Sequence, residues 1–182
     1  MDERIIEFSF RPVQDKRRAL PVFLGVLSLS AVLVVLATFL SKYHGVVSFF
    51  AMLGLCASVL IFTRYYIADF VYSTVLGSDG EVYFVITRIT GKRESAMCTL
   101  RYSEITGVRF LDGDAAKSYK PEPVSKKYNF VPDFSPKSFY LITALSRGGG
   151  KSEIMISGTP DLAKRIEEYA AIARERAQTD EY

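Results

Sequence analysis

At 182 residues the chain can hold one or two domains, and its hydrophobic share of 49% is spread unevenly along it. Its 23 basic and 20 acidic residues leave a formal net charge of +3, too small an excess for broad attraction of nucleic acid. Two cysteines, Cys56 and Cys98, and no Asn-x-Ser/Thr sequence argue against a disulfide framework and against an extracellular domain.

Residues 1–18 form a cytosolic N-terminal segment in which Ile6, Phe8 and Phe10 alternate with Glu7 and Ser9 ahead of Pro12. Two readings are open for it. One is a short strand that pairs with the cytosolic sheet; the other is an interfacial segment lying against the membrane beside Lys16, Arg17 and Arg18.

Residues 19–41 carry no formal charge, and at 1.5 Å per helical residue they reach about 34 Å, enough to cross a hydrocarbon core. Residues 43–63 make a second uncharged run, so residues 19–66 read as a two-helix transmembrane hairpin. A cleaved signal peptide fits poorly, because its apolar core is shorter and ends in a small-residue cleavage site. A buried hairpin of a soluble protein would need polar stripes that neither run offers. On the second helix Ala51, Gly54 and Ser58 form a small-residue stripe that permits close approach to the first helix or to another subunit. No ionisable residue interrupts either span, which argues against a transporter or channel acting alone.

Arg4, Arg11, Lys16, Arg17 and Arg18 precede the first span, the connecting turn holds Lys42, and Arg64 follows the second. The bias keeps both termini in the cytosol and makes the protein a two-span protein of the cell membrane. Tyr43 on one side, and Tyr65 and Tyr66 on the other, suit the two interfaces. His44 lies at the outer surface, far from any cluster of metal-ligating residues.

After Tyr66 short alternating runs separated by Gly, Asp, Ser and Pro read as strands over residues 67–76, 81–90, 95–102, 105–111, 128–134, 138–145 and 152–157. Residues 112–127 carry Lys117, Lys120, Lys126 and Lys127 with Pro121 and Pro123, and predict a mobile loop. Thr159-Pro160-Asp161 reads as a helix start. The helix it opens sets Leu162, Ile166, Tyr169, Ala170, Ala173 and Ala177 on one face, which must dock on a sheet. Residues 67–182 thus form a mainly β cytosolic domain with a C-terminal helix.

Candidate chemistry is sparse. Gly148-Gly149-Gly150-Lys151-Ser152 lacks the earlier glycine of a phosphate-binding loop, since Leu145 stands there, and a strand follows instead of a helix. Asp112-Gly113-Asp114 lacks the further ligands of a calcium loop. No nucleophile elbow, His-centred triad or paired-carboxylate motif stands out. No catalytic residue, cofactor site or metal site is therefore assigned, and the chain is expected to be noncatalytic.

The run Glu81-Val-Tyr-Phe-Val-Ile-Thr-Arg-Ile-Thr-Gly-Lys-Arg, followed by Thr99-Leu-Arg-Tyr-Ser-Glu-Ile-Thr-Gly-Val, resembles the bacterial membrane proteins with a PH-like (pleckstrin-homology-like) domain. These commonly place such a domain directly after paired transmembrane helices. The resemblance covers residues 19–176 and implies a seven-stranded bent barrel capped by the C-terminal helix. It also implies membrane association and a binding or scaffolding role, with no catalytic residues to carry over.

The expected function is a membrane-anchored PH-like module that binds a protein partner or a lipid surface at the cytosolic face. The alternatives are an accessory subunit or oligomeric scaffold of a larger membrane complex, homo-oligomers included, and a cryptic enzyme. Lys117, Lys120, Lys126 and Lys127 are the candidate contacts for anionic lipid, although residues 67–182 hold 16 basic and 16 acidic side chains, which leaves no broad anion-attracting field.

Overall fold

The structure is a computed structural model that describes residues 5–14, 16–120, 126–134, 136–145 and 149–179. It divides into two compact units. One contains Gln14–Asp69 and Pro132–Ser135; the other contains Met1–Val13, Phe70–Val131 and Pro136–Tyr182.

The first unit is a helical hairpin. Helix α1 (Lys16–Phe39) leads through a 3₁₀ turn at Ser41–Tyr43 into α2 (His44–Phe62), which ends in a π-helical turn at Thr63–Ile67. The segments Ala19–Phe39 and His44–Ile67 have mean hydropathies of 2.6 and 2.4 and are long and apolar enough to span a membrane. Small side chains line the seam between the helices. Ala19, Ser30 and Ala37 of α1 are buried, as are Ala51 and Ser58 of α2. A Cβ at Gly54 would stand 2.2 Å from Ser30 Oγ, so glycine is what allows the approach there. The buried hydroxyls are satisfied within their own helices, Ser30 Oγ donating to Val26 O (2.8 Å) and Ser58 Oγ to Leu55 O (2.8 Å). Near the turn, His44 Nδ1 lies 2.9 Å from Ala37 O.

The second unit holds two four-stranded sheets and a long helix. Strands β1 (Ile5–Phe10), β2 (Ala68–Leu76), β3 (Val82–Thr90) and β4 (Arg93–Arg101) form the first sheet in the order β1-β2-β3-β4. Strands β5 (Ile105–Asp112), β6 (Lys126–Asn129), β7 (Ser138–Leu145) and β8 (Lys151–Ile156) form the second in the order β5-β7-β8-β6. Among the described residues the seven-stranded barrel of the sequence reading thus becomes eight strands in two sheets that do not close.

The eighth strand is β1, which pairs antiparallel with β2 from Ile5↔Leu76 to Phe10↔Tyr72. Its alternation has a physical outcome, because Phe8 and Phe10 pack against the core. Strand β6 also departs from expectation: it covers 126–129 instead of 128–134 and runs parallel to β8. That pairing is nonlocal, so no turn in the sequence announces it.

The core collects Phe70, Tyr72, Phe84, Ile86, Tyr102, Ile105, Ile142, Ile154 and Ile156 from both sheets. Tyr72 also ties the sheets by hydrogen bonds. Its hydroxyl donates to Phe130 O (2.9 Å) and accepts from Ser157 N (3.2 Å), so a buried phenol of β2 satisfies backbone flanking β6 and β8.

Helix α4 (Pro160–Thr179) starts where the sequence signals it. Leu162 N donates to Thr159 Oγ1 (3.4 Å) and Ala163 N to Thr159 O (3.2 Å). Leu162, Ile166 and Ala170 are buried in the core, with Tyr169 and Ala173 at its edge. Ala177 is exposed, so the docked face is shorter than the apolar stripe.

The segment read as a loop contains a short helix α3 (Gly113–Ser118), entered through Gly113 at φ +48°. Tyr119 follows, its ring edge-on to Phe139 at 5.9 Å and its hydroxyl bonded to the carboxylate of buried Glu153. This contact gives a buried acid a partner. Residues 121–125 lie outside the described residues, and with them Pro121 and Pro123 of the predicted loop.

Candidate functional site

The four lysines singled out in the sequence do not share one environment. Lys117 stands on α3 and pairs with Asp114 at 3.3 Å, with both side chains largely in solvent, where such a pair contributes little. Lys120 is exposed beyond α3. Lys126 and Lys127 are exposed neighbours on β6, where successive side chains point to opposite faces. Asp112 ends β5 and Asp114 lies in α3, and among the described residues no group of three or more His, Cys, Asp or Glu could hold a metal ion. Lys151 and Ser152 belong to β8, so the glycine-lysine run leads into a strand; Gly148 lies outside the described residues. Cys98 is half-buried on β4, and burial raises its thiol pKa, while Cys56 is exposed on α2.

A concavity of the β unit lies elsewhere, beside the C-terminal half of α4. It is a groove of about 410 Å³ lined by Glu7, Asp79, Gly80, Glu81, Val82, Ser103, Tyr169, Ile172, Ala173, Arg176 and Ala177.

One wall comes from the turn between β2 and β3. Gly77 N donates to Glu81 O (2.8 Å) and Gly80 N to Gly77 O (3.1 Å), with Gly80 at φ +77°, a conformation that favours glycine. A Cβ on Gly77 would fall 2.6 Å from the Tyr83 ring, so the turn closes over that ring only because the side chain is absent. Tyr83 Oη donates to Asp79 Oδ2 (2.5 Å), and Glu81 N donates to Asp79 Oδ1 (3.2 Å). Arg101 reaches in from β4, its Nε 3.0 Å from Glu81 Oε2 and its guanidinium 5.9 Å from the Tyr83 ring centre. The phenol bond holds the Asp79 carboxyl below its ordinary pKa, and the same bond raises that of Tyr83.

The opposite wall is α4 with the tip of β1. The register of β1 shifts at Glu7, between Ile6↔Val75 and Phe8↔Thr74. A bulge of this kind re-aims a side chain, and Glu7 meets Tyr169 on this wall. Burial first, and then the Glu7 charge, raise the Tyr169 pKa. Tyr169 packs on Tyr102 with ring centres 5.3 Å apart. Tyr102 shares a 2.6 Å hydrogen bond with Thr74, and burial pushes its phenol up to about 12. Outside these polar pairs, Ile172 is 48% exposed on α4.

The groove therefore offers three carboxylates on a hydrogen-bonded frame, an apolar strip on α4, and Arg176 at its edge. Sequence reading assigned no role to Glu7, Asp79 or Glu81, and it placed Ile172 on no face. The missing signal was the bulge at Glu7, which depends on pairing with a strand more than 60 residues away. Searches among family models, curated proteins and solved structures find no match to this chain.

Proposed function

We propose that the chain is a noncatalytic, membrane-anchored binding module of PH-like design, and that the groove beside α4 receives a basic, partly apolar segment of a protein partner. The hairpin is its anchor, and both termini and the β domain face the cytosol. The observation that carries this reading is the groove itself, where Glu7, Asp79 and Glu81 face an exposed Ile172. An amine or guanidinium meets complementary charge there, and an aliphatic neighbour on the same segment covers Ile172. A phosphoinositide headgroup would meet carboxylates instead.

The PH-like design is supported by chain order: the seven strands β2 to β8, then a helix whose Leu162 and Ile166 join the core. The orientation is supported by five basic residues ahead of the first span against Lys42 alone in the turn.

A photo-crosslinking residue at position 172 of the full chain, in native membranes, tests the reading, with position 93 on the exposed β4 as the control. One discrete adduct at 172 is expected, and Glu7→Gln with Asp79→Asn should suppress it. Equal adducts at both positions, or adducts indifferent to loss of the carboxylates, sink the groove. An externally active reporter fused after Tyr182 would reverse the orientation.

A further inference from the structure

Strand β6 presents the chemistry that the groove beside α4 is suited to take. The sheet order leaves β6 at an edge, paired with β8 on one side, and all four of its residues are exposed. Lys126 and Tyr128 stand two residues apart on one face of the strand, about 7 Å from each other along it, with Lys127 between them on the other face. Tyr128 is 40% exposed and lies flat on Phe130, with ring centres 6.2 Å apart and planes inclined by 5°. Phe130 is fixed in turn, its N–H donating to Met155 O (2.9 Å) and its carbonyl accepting from the Tyr72 hydroxyl (2.9 Å). An aromatic ring is thus held ready between two cations on an anchored edge, and it loses little freedom on binding.

The charges of the groove are not all answered within it. Arg101 meets Glu81 at 3.0 Å, and Arg176 lies in the last turn of α4, where a cation offsets the helix's own negative end. Asp79 and Glu7 instead meet the neutral phenols of Tyr83 and Tyr169, which orient the two carboxylates and leave their charge in place. Ile172 stands by them on the same lining. Among the described residues none of β6 lines the groove of its own copy, so a β6 strand that fills it comes from another molecule.

Resting on the groove reading above, we propose that the segment received there is β6 of a second copy of this chain, with Lys126 and Lys127 at Glu7 and Asp79 and the Tyr128 ring on Ile172. Charge complementarity sets the register of the contact, and the aromatic ring supplies its apolar area. Donor strand and acceptor groove are different patches, so each copy gives one contact and takes one.

The full chain, purified with a photo-crosslinking residue at position 172 and placed alone in phosphatidylcholine vesicles, tests this. An adduct at twice the mass of the chain is expected, with Tyr128 in the joined peptide. Lys126→Gln with Lys127→Gln should lower its yield about tenfold, the factor for two exposed charge pairs of ordinary strength, and added salt should lower it as well. Charge reversal is the decisive arm. Lys126→Glu with Lys127→Glu, and separately Glu7→Lys with Asp79→Asn, should each remove the adduct alone and restore it when the two variants are mixed, because an acidic strand then meets a basic groove. A mixture that yields no more adduct than either variant alone overturns the proposal. So does a carboxylate-dependent adduct in native membranes to a chain of different mass with none between copies, and that result leaves the groove reading standing. Adducts indifferent to Glu7 and Asp79 overturn both.

Discussion

The hairpin and the β unit use the same apolar residues in opposite ways. Leu29, Leu60 and Met52 of the hairpin are 61%, 69% and 67% exposed, whereas Leu141, Ile142 and Ile154 of the β unit have no accessible surface. In the β unit, burial is the stabilising term, and each core side chain counts because its neighbours cannot collapse onto a gap. In the hairpin the large side chains face outward, and the contact between helices rests on Ala51, Gly54, Ser58 and Ser30. Hydropathy marks where a chain is apolar; which apolar residues hold the structure together differs between the two units.

The largest effect that could break this contrast is Ile166→Asp, which puts an unpaired carboxylate into the core. Roughly 4 kcal/mol or more of stability should be lost, seen as a fall in Tm of the full chain in detergent. Ile172→Asp, on the exposed side of the same helix, should change stability by about 0.5 kcal/mol at most. Equal effects of the two would mean that α4 is not docked through Ile166.

Alkaline pH comes next. The folded state keeps the Tyr102 phenol neutral up to about 12, against 10.0 in its ordinary state. This contribution is complete below pH 10 and is lost as pH rises through the folded value, for a total on the order of 3 kcal/mol. Tyr83, Tyr140 and Tyr169 shift in the same direction. Denaturant titrations at pH 9 and 11 should show the loss in the β unit, and a flat profile would count against a buried Tyr102.

Tyr72→Phe should cost about 2 kcal/mol, since Phe130 O and Ser157 N lose their shared partner. The smallest effect falls in the hairpin. Gly54→Ala pushes the Ser30 hydroxyl off its bond to Val26 O and should cost about 1 kcal/mol. Resistance of the helices to unfolding in dodecyl sulfate reads it, and the near-ultraviolet signal of the β unit should not change. A loss of that signal would mean that the two units do not hold themselves together separately.

Local patterns carried much of the fold. The two uncharged runs, strand β7 at 138–145, and the Thr159-Pro160 start of α4 were all legible, because each depends on residues adjacent in the chain. Strand β1 had two readings, and only its ladder with β2 decides between them. The lysines drew attention as a cluster in sequence, yet α3 and β6 give them separate surroundings. Glu153 falls in a run read only as a strand, and its buried carboxylate meets Tyr119 from the segment read as a loop.

The sequence by itself determined the two apolar helices, most of the strands and the amphipathic α4, since hydropathy period and capping act over a single turn or pleat. Tertiary structure decided that β1 adds to the first sheet, that β6 lies parallel beside β8, and that Glu7, Asp79, Glu81 and Ile172 line one groove. Those outcomes depend on strand register and on docking between segments far apart in the chain, where one shifted residue at Glu7 changes which side chain enters the groove.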